Sequence, residues 1–199
     1  MLNLSVVTPP TETVTFAEMQ AHLRVGTEEQ TLIESLTTAA REWCELIARR
    51  SFVTQTFQVT TECWPGLDGY RLPFVPLVSV DFIKYYTTDN VLRTLSAAVY
   101  QVETSCNPGQ VILAFNQAWP GDALRPGYPI VIQYQAGYGA ASNVPQRYKH
   151  AIKLLTAHWF ENREAVLTSG GGTGSVTLDL ALQSLLLVDR GGYVDFYKN

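Results

Sequence analysis

Charge is what this sequence has least of. Aspartate, glutamate, lysine and arginine make up 16% of its 199 residues, against about 25% in ordinary soluble domains. Fourteen basic residues set against 18 acidic ones leave a formal charge of −4. The chain therefore lacks the basic excess with which a protein grips nucleic-acid phosphates. Long apolar runs are missing too, and none approaches the roughly 18 residues of a membrane span. The opening MLNLSVVTPPTETV has no basic segment followed by an apolar one, which argues against a secretory signal. The three cysteines, Cys44, Cys63 and Cys106, lie 19 and 43 residues apart. That number and spacing suit free thiols in a reducing compartment better than a disulfide framework or a zinc site.

Signatures of catalysis are equally scarce. His22, His150 and His158 are the histidines, and the two on one helical stretch stand eight residues apart without the acid of a zinc-type H-E-x-x-H motif. No G-x-S-x-G elbow supplies a serine nucleophile, and no cysteine carries a family signature. Gly170-Gly171-Gly172-Thr173-Gly174 is followed by no Gly-Lys-Ser/Thr, so it reads as a connector and not as a phosphate loop. The acid pairs Glu28/Glu29 and Glu161/Glu164 read as solvated helix faces. No catalytic residue, metal site or cofactor is expected.

What the chain has instead is aromatic and β-branched surface: 4 Trp, 10 Tyr, 8 Phe and 20 Thr. Charge depletion with aromatic enrichment is the composition of interface cores. It is also the composition of a Thr-rich β domain with a polar, uncharged surface.

Periodicity divides the chain into helical ends and a β middle. Thr15 with Glu18 forms a capping box, Phe16, Met19 and Leu23 follow at helical spacing, and Gly26 closes the segment. Thr27 through Gln30 repeats the box ahead of a second helix over 28–50. Its apolar stripe is Leu32, Ile33, Leu36, Ala39, Ala40, Trp43, Leu46 and Ile47, with Arg49 and Arg50 at the end where the dipole favours cations. Trp43 and Trp159 are expected in the core. Strands are predicted at 52–60, 77–86, 97–103, 110–115 and 129–135, with turn chemistry at 87–90 and 107–109. Pro145 opens a helix carrying Tyr148, Ile152, Leu155 and Trp159 to about Glu164, and a last helical pattern runs over 177–189. The result is an α+β chain. Residues 1–51 and 142–199 build a helical bundle core, and 52–141 form an inserted antiparallel β-sheet or small sandwich.

Four stretches in order carry a resemblance. They are 16–50, from the short helix ending His22-Leu23-Arg24-Val25 to Arg49-Arg50-Ser51; Leu72-Pro73 with Pro76 through Val80; Ala118-Trp119-Pro120 with Tyr134 through Gly139; and Val144-Pro145 with His158 through Glu164. Together, over about 14–190, they resemble the head–tail connector (adaptor) family of tailed phages, with related adaptors in gene transfer agents. The resemblance implies a structural protein of the virion neck, assembled in the bacterial host cytoplasm. Its partners would be copies of itself in a ring of about twelve, the portal protein above, and a stopper or tail-terminator protein below. Such a ring repeats a heterologous interface until the rotation closes. Double-stranded DNA would pass through it without sequence-specific binding, which a weakly acidic chain permits. The resemblance covers neither 169–175 nor the last ten residues. In that tail Tyr193, Phe196 and Tyr197, after Gly191-Gly192, are aromatics suited to anchoring on the portal or to folding back on their own subunit. Another neck or tail-completion protein is the alternative reading, followed by an enzyme or ligand-binding domain with an unrecognised site.

Overall fold

The computed structural model describes residues 3–66, 69–162 and 181–187. Within them the chain forms β1 (Asn3–Thr8), α1 (Phe16–Leu23), α2 (Gln30–Ala48), β2 (Gln55–Thr61), β3 (Tyr70–Arg71), β4 (Leu77–Tyr86), β5 (Leu92–Thr94), β6 (Tyr100–Glu103), β7 (Gln110–Leu113), β8 (Ile130–Ala136) and α3 (Gln146–Glu161). Residues 181–186 are also helical. The chain is α+β, as the sequence predicts, and divides into two compact units. One contains Met1–Pro10 with Thr54–Tyr138, the other Thr11–Val53 with Gly139–Asn199.

The first unit holds the sheets. Five antiparallel strands lie in the order β1-β2-β8-β4-β5, and three more in the order β3-β7-β6. Strict alternation in β2 and β8 turns every second side chain inward. The register then sets Phe57 opposite Tyr134 and Val59 opposite Ile132. Tyr70 of β3 and Val111 of β7 enter the same core cluster as Phe57, Ile83 and Ile132, so the two sheets form a small sandwich over one core. Close approach is built in at two glycines. A Cβ at Gly109 would lie 2.4 Å from Leu77 Cβ, and one at Gly69, which has φ +68°, would lie 2.3 Å from the Val111 carbonyl oxygen.

Strand β4 has the bounds expected of it, and β6, β7 and β8 overlap their predicted segments. The strand expected from residue 52 starts at Gln55 instead. Phe52 belongs to the helical unit, where its ring stacks on Tyr148 at 4.6 Å. Its N–H is taken by the Glu45 carboxylate at 2.7 Å and so cannot enter a β-ladder. No strand is predicted at 3–8 or 92–94, yet β1 and β5 form there. Between Pro65 and Pro73, where the prolines allow only short or edge strands, the two-residue β3 forms at a sheet edge. Each is short; β1 and β3 gain their backbone partners from β2 and β7, distant in sequence, while the three residues of β5 pair back on β4 across the 87–91 turn.

In the second unit α2 packs against α3, and α1 touches both. Helix α1 begins with the expected capping box: Thr15 Oγ1 accepts from the Glu18 N–H at 3.3 Å, and Glu18 Oε2 accepts from the Thr15 N–H at 2.9 Å. The helix stops before Gly26, because Arg24 takes the left-handed conformation and its N–H closes on the Gln20 carbonyl. The second predicted box does not form. Thr27 uses its carbonyl to accept from the Gln30 N–H, and Glu29 stands at the N-cap of α2 without a side-chain cap. Pro145 is the N-cap of α3, one residue ahead of its first turn.

The α1 box has a pH signature. The Thr15 N–H, with Lys153 3.5 Å away, holds Glu18 below the ordinary carboxylate value of 4.5. A depressed carboxylate contributes stability that is full above its unfolded pKa and is lost as pH falls through the lower folded one. Thr15→Ala should therefore cost about 1 kcal/mol at neutral pH. Glu18→Gln should flatten the decline in melting temperature below the ordinary value of 4.5. Calorimetry across the acid range checks both.

Candidate assembly surfaces

Chemistry is the first thing to look for, and the titratable groups offer little of it. The Cys44 thiol is buried and pushed up to about 12 by that burial, with Glu45 adding to the effect. Burial also raises the Tyr70 hydroxyl, which donates to the Cys63 carbonyl at 2.9 Å. His22 is pushed down by burial, and then by the nearby positive charge of Lys153 and by His150. Among the described residues no three His, Cys, Asp or Glu side chains gather as a metal would need. Among the same residues no helix is long and apolar enough to cross a membrane.

The surface is more informative. On α2 the inward residues are Ile33, Thr37, Ala40, Arg41, Cys44, Glu45 and Ala48. Of the stripe expected from the sequence, Ile33 and Ala40 are on this face. Leu32, Leu36, Trp43 and Ile47 are half-buried, and Ala39 and Leu46 are exposed. Trp43 and Trp159, expected in the core, are each half-buried. The inward face carries instead an ion pair between Arg41 and Glu45 at 2.8 Å, with Glu12 3.2 Å away on the guanidinium's other side. Thr37 is neutralised locally by donating to the Ile33 carbonyl. Charge satisfied in this way can be buried while apolar side chains stay outside.

On the sheet unit, Phe115 is 90% exposed, and Val78 and Tyr128 are open to solvent. The five-stranded sheet has β1 at one edge, with Val6 and Val7 exposed, and β5 at the other, beside exposed Val91 and Leu92. A register shift at Val7 and the three-residue length of β5 limit what either edge could pair with. The turn between β4 and β5, where the sequence predicts turn chemistry, is held firmly. Arg125 lies over the Tyr86 ring at 3.8 Å and donates to Asn90 at 2.7 Å. Trp119 stacks on Trp64 at 5.2 Å and meets Tyr70 at 5.9 Å. Tyr193, Phe196 and Tyr197, and the glycine-rich stretch 169–175, lie outside the described residues.

Comparison with known proteins gives one consistent result. The fold is shared with a chain of the virion of the native gene transfer agent (GTA) particle, at TM-score 0.77 and 22% identity, covering 98% of each chain. A chain in the neck of the empty GTA particle, computed with C6 symmetry, aligns at TM-score 0.73 and 22% identity over 93% of this chain and 94% of that one. A chain in the neck of the native particle, computed with C12 symmetry, aligns at 0.71 and 21% over the same shares. No protein-family model and no curated protein matches the sequence.

Proposed function

We propose that this chain is a head–tail connector (adaptor) subunit of a tailed phage or gene transfer agent. It forms a ring below the portal that extends the DNA channel and gives the tail or stopper a platform. The observation that carries this reading is the end-to-end likeness of fold to a GTA virion chain, 98% of both chains. The related necks were computed with C6 and C12 symmetry, in keeping with a ring of repeated copies. The sequence resemblance points the same way on separate grounds. A ring requires each copy to bury two different faces, and a surface this poor in charge lowers the desolvation cost of doing so. With a net charge of −4 the chain would let DNA pass without strong phosphate contacts. The role is structural and needs no catalytic step.

We propose further that Tyr193, Phe196 and Tyr197 anchor the subunit on the portal. Particles made without the chain should accumulate as heads lacking tails, and the purified full-length protein should restore joining. The version deleted for 191–199 should fold with an unchanged melting temperature yet fail to attach to portal-bearing heads. Normal attachment by the truncated protein would reject the anchor. Normal tailed particles in the absence of the chain would reject the connector reading itself.

A further inference from the structure

Leu32, Leu36, Ala39, Trp43 and Leu46 recur along α2 at spacings of four, three, four and three residues. This is the a/d pattern by which one helix seats another. None of the five is fully buried, and Leu46 is 64% exposed. The face that α2 turns inward is centred roughly two-fifths of a turn away, at 3.6 residues per turn. A helix that buries Arg41 and Glu45 while leaving its most regular apolar line only partly covered has a local mismatch between pattern and burial, and such mismatches concentrate at functional surfaces.

We propose that this seam receives a helix from a neighbouring copy of the same chain as the ring closes. The inference rests on the ring reading above and names one of the two faces that such a ring needs. Its periodicity calls for a helical occupant, since knobs at alternating spacings of four and three fit a helix crossing at about +20°. Its outer flank argues for a partner recognised by packing. Thr31 and Ser35 border it without charge, and Glu42 is the acid beside its C-terminal half. Nucleic acid or a strongly charged protein would require a charged border. The occupying helix belongs to a different face of the neighbour, because seam-on-seam pairing is isologous and stops at two copies.

The test places a photocrosslinking amino acid at position 46 in cells that co-express two differently tagged copies and assemble particles. The expected product is a species of twice the chain mass that carries both tags. A crosslink within one chain, a crosslink to a different protein, or no crosslink in particles that do contain the chain would each overturn the seam assignment while leaving the ring reading intact. Particles that lack the chain altogether would reject the ring reading, and the seam with it. In parallel, Leu46→Glu should keep the melting temperature of the free protein and lower its incorporation into necks at least tenfold, while Leu46→Met incorporates normally. Undiminished incorporation of Leu46→Glu would overturn the proposal.

Discussion

Glu45→Ala is expected to destabilise the helical unit by about 3–5 kcal/mol, the cost typical of stranding one partner of a buried ion pair. Both side chains are almost wholly enclosed, 5% exposed for Arg41 and 6% for Glu45, at a separation of 2.8 Å. Glu45 works twice. One carboxylate oxygen binds the Arg41 guanidinium, and the other accepts the N–H of Phe52, itself 0% exposed. Truncation leaves the guanidinium leaning on Glu12 and Glu42, which are 36% and 67% exposed and screened by water. It also strands a buried amide, worth about 1–3 kcal/mol. Glu42→Ala should cost little. The double change Arg41→Met with Glu45→Gln should destabilise less than Glu45→Ala alone, because it removes the charge while keeping an acceptor for Phe52. Urea unfolding of these three variants beside the parent measures the differences. A Glu45→Ala protein within 1 kcal/mol of the parent would mean that Arg41 is solvated.

Phe57→Ala should weaken the sandwich by a similar amount, about 3–5 kcal/mol. The ring is 1% exposed and lies between two others, Phe74 at 5.0 Å and Tyr134 at 5.4 Å, both stacked. Truncation loses the transfer energy of the side chain and leaves a cavity. It also removes two aromatic pairs worth about 0.5–1.5 kcal/mol each. The surroundings have little freedom to collapse, because Tyr134 is pinned through its hydroxyl to the Pro73 carbonyl. Phe57→Leu should retain more than half of the lost stability. Thermal unfolding followed by near-UV aromatic dichroism reads the change. Equal stability of Phe57→Ala and parent would show that this layer is not close-packed.

The two ends of the molecule were legible in the sequence to different depths. Strand β4 could be bounded from LVSVDFIKYY because alternation and the TTDN turn are both local signals. Strand β1 could not. NLSVVT is short, abuts two prolines, and finds its partner β2 about fifty residues later, so its pairing is a tertiary fact. Helix α2 was legible as a helix but not in its orientation. Its apolar stripe reads as core, yet the buried face is the adjacent one, fixed by Glu12 and by the Phe52 amide, neither of which lies on the helix. The mismatch that defeats the pattern is the feature that marks the seam.

The central claim, that this chain builds the neck of a particle, is tested most directly by electron cryomicroscopy of the head–tail junction in particles produced from its own genome. The account predicts a closed ring of density next to the portal, with copies of this α+β fold related by rotation and α2 at the boundary between neighbours. A junction resolved well enough to trace, with no density that fits this chain, would contradict it.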